Sequence, residues 1–429
     1  MHILWLKTDL LLPLDKGGRL RTWHLMRHLA RRHEITYLAF KEPGQPDADV
    51  AGMREVATRV VAITRADPPK GSWRFRVDAA LHVVDPLPYA VGKYRSRGFR
   101  RRLRELLTER PYDLIVCDFV FPAVNLPRRL PCPAVLFTHN VESEIWPRHA
   151  ETKAGVVDRL LYRMQYRRML RYEAATLRRF DGVLAVSDAD RETFDRLYPG
   201  AIARPVHVVP TGVDTEYFSP SPGQPSSREL VFTGSMDWLP NEDAMLFFCR
   251  EVLPLIRAQE PDVRLSIVGR APTPAVRKLA DRGGIAVTGR VADVRPYIRD
   301  AAVYVVPLRI GGGTRLKIFE AMAMGKAVVS TSVGAEGLPV TDGKHVMLAD
   351  EPEAFADACV RLLRDVVRRR ALEAAARALV VSKYDWAAVA GKLEDALVRF
   401  ALREARGGRE ISVTARAEPV EARATGRFS

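Results

Sequence analysis

The sequence predicts an α/β protein made of two doubly wound domains. Three observations carry this. Short β-branched runs alternate with helix-length segments along most of the chain, which is the pattern of βαβ units and parallel sheets. Many of those runs end at Gly, Pro, His or Ser, and open parallel sheets place their ligand loops at such carboxyl ends. The alternation also breaks once, at PSPGQPSS (220–227), and restarts with LVFTG.

The elements follow in order. HILWL opens the chain as a buried strand, a helix is expected from about Gly18 to Arg32, and EITYLAF follows. The middle of the chain holds DLIVCD (113–118), AVLFTHN (134–140), GVLAVS (182–187) and VHVVP (206–210). The second half holds LVFTG (230–234), RLSIVG (264–269), IAVTG (285–289), AVYVVP (302–307) and AVVSTS (327–332). The domains are therefore expected over residues 1–205 and 206–385, with a further helix over 386–403. Residues 404–429 have little apolar periodicity and read as a disordered tail.

Composition sets bounds. A chain of 429 residues has room for two or three domains. An apolar share of 47% and a charged share of 28% form an ordinary globular mix. Cys117, Cys132, Cys249 and Cys359 have no paired spacing, which argues against a disulfide framework or a zinc site and fits a reducing cytoplasm. Lys7 and Asp9 interrupt the apolar N-terminus, so it does not read as an export signal. No uninterrupted apolar run reaches the length of a membrane span.

The formal charge is +15, much of it arginine in KYRSRGFRRRLRELLTER (93–110) and RLLYRMQYRRMLRYEAATLRR (159–179). These runs are either solvated helix faces or an attraction to anionic surfaces such as phospholipid head groups. Nucleic acid is disfavoured as a partner: no reading module is present, and few aromatics are interleaved with the basic residues. Trp73, Phe75, Tyr89 and Tyr94 lie in an Arg-rich segment and are expected in the core or at a membrane interface.

The most informative stretch is GGGTRLKIFEAMAMGKAVVST (311–331). Gly311, Gly312 and Gly313 follow a strand, and Thr314 is placed to cap the helix that comes next. A helix N-terminus offers free N–H groups and partial positive charge, and glycines admit a ligand to the backbone; together they seat a phosphate. Arg315 and Lys317 stand in the first turn, where helix electrostatics favours acids, so an anion beside them is expected. Glu320 lies among apolar residues and needs a partner. That partner is either the ribose diol of a nucleotide or a cation, Lys317 or Lys326.

The same stretch resembles the donor-binding segment of GT-B glycosyltransferases of the retaining family 4. DKGGRLRTWHLMRHLARRHEIT resembles that family's first glycine loop and helix. HVVPTGVDTEYF (207–218) is similar to its interdomain segment, with Thr211 where an asparagine is usual. LVFTGSMDWLPNEDA (230–244) resembles the opening of its nucleotide-sugar domain, and VTGRVADVRPYIRDAAVYVVPL (287–308) its base-binding region.

The resemblance implies two Rossmann-like domains, the first on the acceptor side and the second binding a nucleotide-diphospho-sugar. It implies that Glu320 binds the donor ribose and that the amides near Gly313 and Thr314 hold the pyrophosphate. Gly17 and Gly18 would approach the donor phosphate and the acceptor. Gly234, Ser235, Gly269, Gly311, Gly312, Arg315 and Lys317 complete the expected donor site. His139 matches a histidine that faces the donor sugar, and Asn140 and Glu142 are the acceptor-side candidates. Transfer with retention is implied, with no metal and no cofactor, to a glycan or lipid-linked acceptor in bacterial polysaccharide or glycolipid synthesis. A position at the inner face of the plasma membrane fits that setting.

Two departures stand out. Gly312 occupies the place of the family's first acid, and Ser235 and Asn241 stand where an Arg and a Lys are usual. Arg315 and Lys317 are the candidates to supply the missing charge. His139 has a second reading, as a hydrogen-bonded core residue. Asp47 with Asp49, and Asp188 with Asp190, are rejected as metal pairs: the first lies in a Pro/Gly-rich loop, and the second starts a helix behind Ser187. Two other functions fit the fold, a sugar-nucleotide epimerase and a non-catalytic nucleotide-sugar binder.

Overall fold

The computed structural model describes residues 1–15, 17–66, 72–73, 85–144, 146, 156–202, 205–220, 228–310 and 316–405. Two parallel sheets organise them. The first holds β1 (His2–Leu6), β2 (Glu34–Lys41), β3 (Arg59–Thr64), β4 (Leu114–Asp118), β5 (Ala134–Phe137), β6 (Gly182–Ala185) and β7 (His207–Val208), in the order β3-β2-β1-β4-β5-β6-β7. The second holds β8 (Glu229–Thr233), β9 (Arg264–Val268), β10 (Ile285–Val287), β11 (Val303–Val306), β12 (Ala327–Ser330) and β13 (Met347–Leu348), in the order β10-β9-β8-β11-β12-β13. Both are doubly wound. Their strand order reverses beside β1 and β8, where such sheets bind ligands at the carboxyl ends.

Strand pleat divides the first core. Ile3 and Trp5 of β1 face one side of the sheet, and Leu4 and Leu6 the other. Helix α1 (Gly17–Leu29) covers the first side with Leu25, Met26 and Leu29. Helix α2 (Arg97–Glu109) covers the second, burying Phe99, Leu103 and Leu106 at a spacing of four and three that keeps them on one face. Ser96 caps α2 by accepting the Phe99 amide at 3.2 Å. Helix α3 (Val156–Leu177) and helix α4 (Asp188–Leu197) complete that side. In the second domain, α5 (Leu239–Phe247), α6 (Leu316–Ala323), α7 (Pro352–Arg364) and α8 (Val366–Lys383) surround the sheet over one continuous core.

The last helix, α9 (Trp386–Ala405), returns to the first domain. Val389, Leu393 and Leu397 are fully buried there against α1 and the sheet. Each such side chain contributes about 1.5–3 kcal/mol as an upper figure. The helix runs past its expected end at Arg403, and residues 406–429 lie outside the described set. The two crossings between the domains are tied to each other. The Val213 amide donates to the Tyr384 carbonyl at 2.8 Å, and Thr215 Oγ1 donates to Asp385 at 2.6 Å. Thr211 accepts a hydrogen bond from Arg21 of α1 at 3.1 Å, so this position fastens the linker to the first domain.

Among the described residues no helix is long and apolar enough to cross a membrane. The arginine runs are partly engaged in contacts within the protein, many of them at its surface. Arg102 pairs with Glu105 and Glu109, and Arg179 donates to the carbonyls of Ala123, Leu126 and Pro127. Leu160 and Leu161 of α3 and Trp73 are exposed. Tyr94 instead packs on Phe40 beneath Arg65, and Phe75 lies outside the described residues.

Candidate active site

In the first domain the strand ends converge on one carboxylate. Asp118 closes β4 and has no solvent exposure. Its Oδ1 lies 2.7 Å from Lys7 Nζ and 2.9 Å from His139 Nε2. Its Oδ2 accepts from Thr22 Oγ1 at 2.7 Å and from Trp5 Nε1 at 3.0 Å. These partners come from β1, the residue after it, α1 and the loop after β5. Burial alone would raise the Asp118 carboxyl; the Lys7 ammonium and His139 overcome that and hold it well below the usual carboxylate range.

His139 stacks on Phe119 with ring centroids 4.1 Å apart. Burial depresses its pKa to about 4 despite Asp118, so the imidazole is neutral near pH 7. Gly18, in the first turn of α1, lies directly against it: a Cβ there would stand 3.6 Å from His139 Nδ1. Gly17 faces open space. The structure thus brings Gly18 and His139 together, with Gly17 one residue ahead, on a cluster of Lys7, Thr22 and Asp118 that the sequence alone did not single out. The signal was present: an acid at the carboxyl end of a strand and a lysine just past an apolar one.

The acceptor-side candidates separate. Asn140 is exposed. Glu142 is buried and turned toward Glu173, with its pKa pushed up to about 8 by burial and by that neighbouring acid. Glu173 itself accepts the amides of Glu142 and Ser143, both at 3.1 Å, and the Tyr198 hydroxyl at 2.6 Å. Glu142 is therefore part of the packing of this turn. The rejected acidic pairs also have structural work. Asp47 and Asp49 lie in a short helix, Asp47–Gly52, rather than a loop, bonded to Lys41 and Gln45. Ser187 caps α4 by accepting the Asp190 amide.

In the second domain, β8 and β9 touch at their ends. A Cβ on Gly269 would fall 1.7 Å from the Gly234 carbonyl oxygen, so backbone contact requires glycine there. Ser235 Oγ accepts from Arg270 at 2.8 Å and donates to Asp237. Lys317 reaches back from α6 to the end of β8. Its ammonium donates to Asn241 Oδ1 at 2.9 Å, lies 4.0 Å from the Phe232 ring centroid, and stands 2.9 Å from where a Gly234 Cβ would be. The cation missing after β8 in sequence is thus present there in space. Gly311, Gly312, Gly313, Thr314 and Arg315 lie outside the described residues.

Glu320 sits two turns into α6 and is part-buried. Lys326 does not reach it: that ammonium donates to the carbonyls of Arg299 and Ala301. Among the described residues no ion pair or hydrogen bond engages the Glu320 carboxyl. Burial pushes its pKa up to about 7, with Lys317 opposing only in part. A cavity of about 410 Å³ spans the domains beside the linker, lined by residues such as Ser187, Asp188, Thr211, Phe319, Leu338 and Tyr384. Neither His139 nor Glu320 lines it.

Family models match both halves of the chain: Glycosyltransferase Family 4 over residues 16–217 and Glycosyl transferases group 1 over residues 227–365. A phosphatidyl-myo-inositol mannosyltransferase of Mycobacterium leprae is 33% identical over 225 residues, which is 49% of this chain. The match spans 57% of that relative, so the chain covers little more than half of it. Sucrose-phosphate synthase of Thermosynechococcus elongatus superposes with a TM-score of 0.65 at 18% identity, covering 94% of this chain and 100% of that one. Anabaena Alr3699/HepE, solved in complex with UDP, superposes with a TM-score of 0.64 at 17% identity over 93% of this chain and 100% of that one. With two doubly wound domains and both family models in sequence order, the chain belongs to glycosyltransferase family 4 and has the GT-B fold.

Proposed function

We propose that the protein transfers a sugar from a nucleotide-diphospho-sugar to a glycan or lipid-linked acceptor. The observation that carries this is Glu320, a part-buried carboxyl that no group among the described residues satisfies. A ribose diol would supply two donors to it, and hydrogen bonds to a charged acceptor are among the stronger ones. Lys317, held at the end of β8, is placed to meet the adjacent diphosphate in place of the family's usual pair. The M. leprae relative's name, with its phosphatidylinositol acceptor, supports a lipid-linked acceptor of bacterial origin. The exposed Leu160 and Leu161 and the neighbouring arginines support a peripheral site on an anionic membrane at its cytoplasmic face.

The reaction follows from this placement. The second domain holds the donor, the first brings His139 and the start of α1 to the sugar, and closure excludes water so that transfer beats hydrolysis. Retention is part of the proposal, with the leaving diphosphate taking the acceptor proton. So is independence of a metal.

A panel of UDP, GDP, ADP and their sugars, read by calorimetry on wild type and Glu320→Ala, tests the reading. Binding of one nucleotide family, weakened in the variant and accompanied by sugar transfer to a lipid or glycan acceptor, is expected. Binding without turnover would leave a non-catalytic nucleotide-sugar binder, and no binding at all would end the transferase reading.

A further inference from the structure

The Lys7–Asp118 pair is more than a packing feature. Two opposite charges with 1% and 0% exposure carry a large desolvation cost, and such pairs are often no more stable than apolar residues of the same volume. Here the pair carries two further donors, Trp5 and Thr22, has His139 Nε2 at 2.9 Å, and lies at the switch point of the first sheet. Trp5 and Thr22 satisfy Oδ2, so Oδ1 is left for Lys7 and His139.

His139 Nε2 lies 2.9 Å from Oδ1 but well off the ring's N–H axis, so this is a close contact rather than a closed hydrogen bond, and a proton on Nε2 is favoured by the carboxylate charge beside it. Stacking on Phe119 and the Phe137 ring at 5.0 Å fix the imidazole plane. With Nε2 turned to Asp118, Nδ1 is the nitrogen that faces the start of α1, 3.6 Å from where a Gly18 Cβ would stand.

We infer that Asp118, anchored by Lys7, is a positioning residue that holds His139 as the Nε2–H tautomer and so presents a bare Nδ1 lone pair to a sugar hydroxyl in the cleft. This rests on the transferase reading for its ligand, but not for its tautomer. His139 is then a hydrogen-bond acceptor in a fixed orientation, and the Lys7 ammonium neutralises Asp118 so that it never takes the ring proton. A hydroxyl donating to Nδ1 fixes the sugar's orientation without any charge change on the ring.

The test is nitrogen-15 NMR of histidine-labelled, donor-free protein at pH 7, with the His139 signals assigned by their loss in His139→Gln. The expected result is a neutral Nε2–H ring in wild type. In Asp118→Asn, whose side-chain amide can donate to Nε2, the ring should shift toward Nδ1–H. Turnover of that variant should fall about 10–100-fold in kcat, the loss typical when the group orienting a functional histidine is removed, while donor KM changes by less than about threefold. Lys7→Arg, which keeps the charge, should retain the wild-type tautomer.

A wild-type ring found as Nδ1–H, or as imidazolium at pH 7, overturns the inference even if the variants fail to fold. An Asp118→Asn protein with unchanged tautomer and kcat does the same. Because the tautomer is read without donor, a failure of the transferase reading would leave this result standing.

Discussion

The two faces of the cleft treat their buried acids in opposite ways. Asp118 in the first domain is met by four groups from the ends of two strands and a helix, hydrogen bonds from Trp5 and Thr22 and charge contacts at under 3 Å from Lys7 and His139, and its carboxyl is held well below the usual range. Glu320 in the second has none among the described residues, and its carboxyl is pushed up to about 7. One face is finished by the fold. The other is left open for a ligand to finish. A satisfied network rigidifies what it touches, whereas an unsatisfied carboxyl stores a desolvation cost that a ligand relieves. The contrast therefore separates a region that positions from a region that binds.

The largest way to break the contrast is truncation on the finished side. Asp118→Ala leaves Lys7 buried and unpaired, and should cost about 3–5 kcal/mol of unfolding free energy in a urea titration. The matching change on the open side, Glu320→Ala, removes a carboxyl with no partner among the described residues and should shift stability by less than about 1 kcal/mol. If both lose stability equally, Glu320 has a structural partner and the contrast fails. The same Glu320→Ala change should weaken donor binding about 10–100-fold, from losing charged hydrogen bonds of about 1.5–3 kcal/mol.

A smaller effect sharpens the open side. Lys317→Met keeps the apolar stem over Phe232 and removes the ammonium. Donor KM should rise about three- to tenfold, in line with losing one charged contact of about 1 kcal/mol. Wild-type kinetics would show that the cation at the end of β8 does not meet the diphosphate. A pH-dependent effect concerns His139. Its pKa is near 4 folded and higher unfolded, so the unfolded chain binds the proton first as pH falls. Wild-type stability should decline from about pH 6.5 toward 4, with a shallower decline in His139→Gln.

Much of this layout was legible in the sequence. The parallel strands announced themselves as short β-branched runs, and the acid in 311–331 stood out because its neighbours are apolar. Gly18 and His139 were each singled out through the family pattern, and their adjacency came only with the fold. What stayed hidden depends on distance along the chain. Trp5 and Asp118 meet across 113 residues, and no local period reports that. The return of α9 to the first domain was equally silent, since an amphipathic helix states that it has a buried face but not against what. Glu142 looked like a cleft residue because it follows His139 closely; its burial against Glu173 comes from α3, a contact between separate elements.

The most direct test of the central claim is calorimetric binding of a nucleotide-diphospho-sugar to wild type and Glu320→Gln between pH 6 and 8. The bridging phosphates of such a donor do not titrate in this range, so the pH dependence reports the protein. Two hydroxyl donors favour the ionised carboxyl, so wild-type affinity should rise as pH climbs toward 7 and then level off, with proton release on binding at pH 6. Glu320→Gln should bind more weakly with no such rise. Equal affinity and an equal pH profile in the two proteins would contradict the assignment of Glu320 as the seat of the donor ribose.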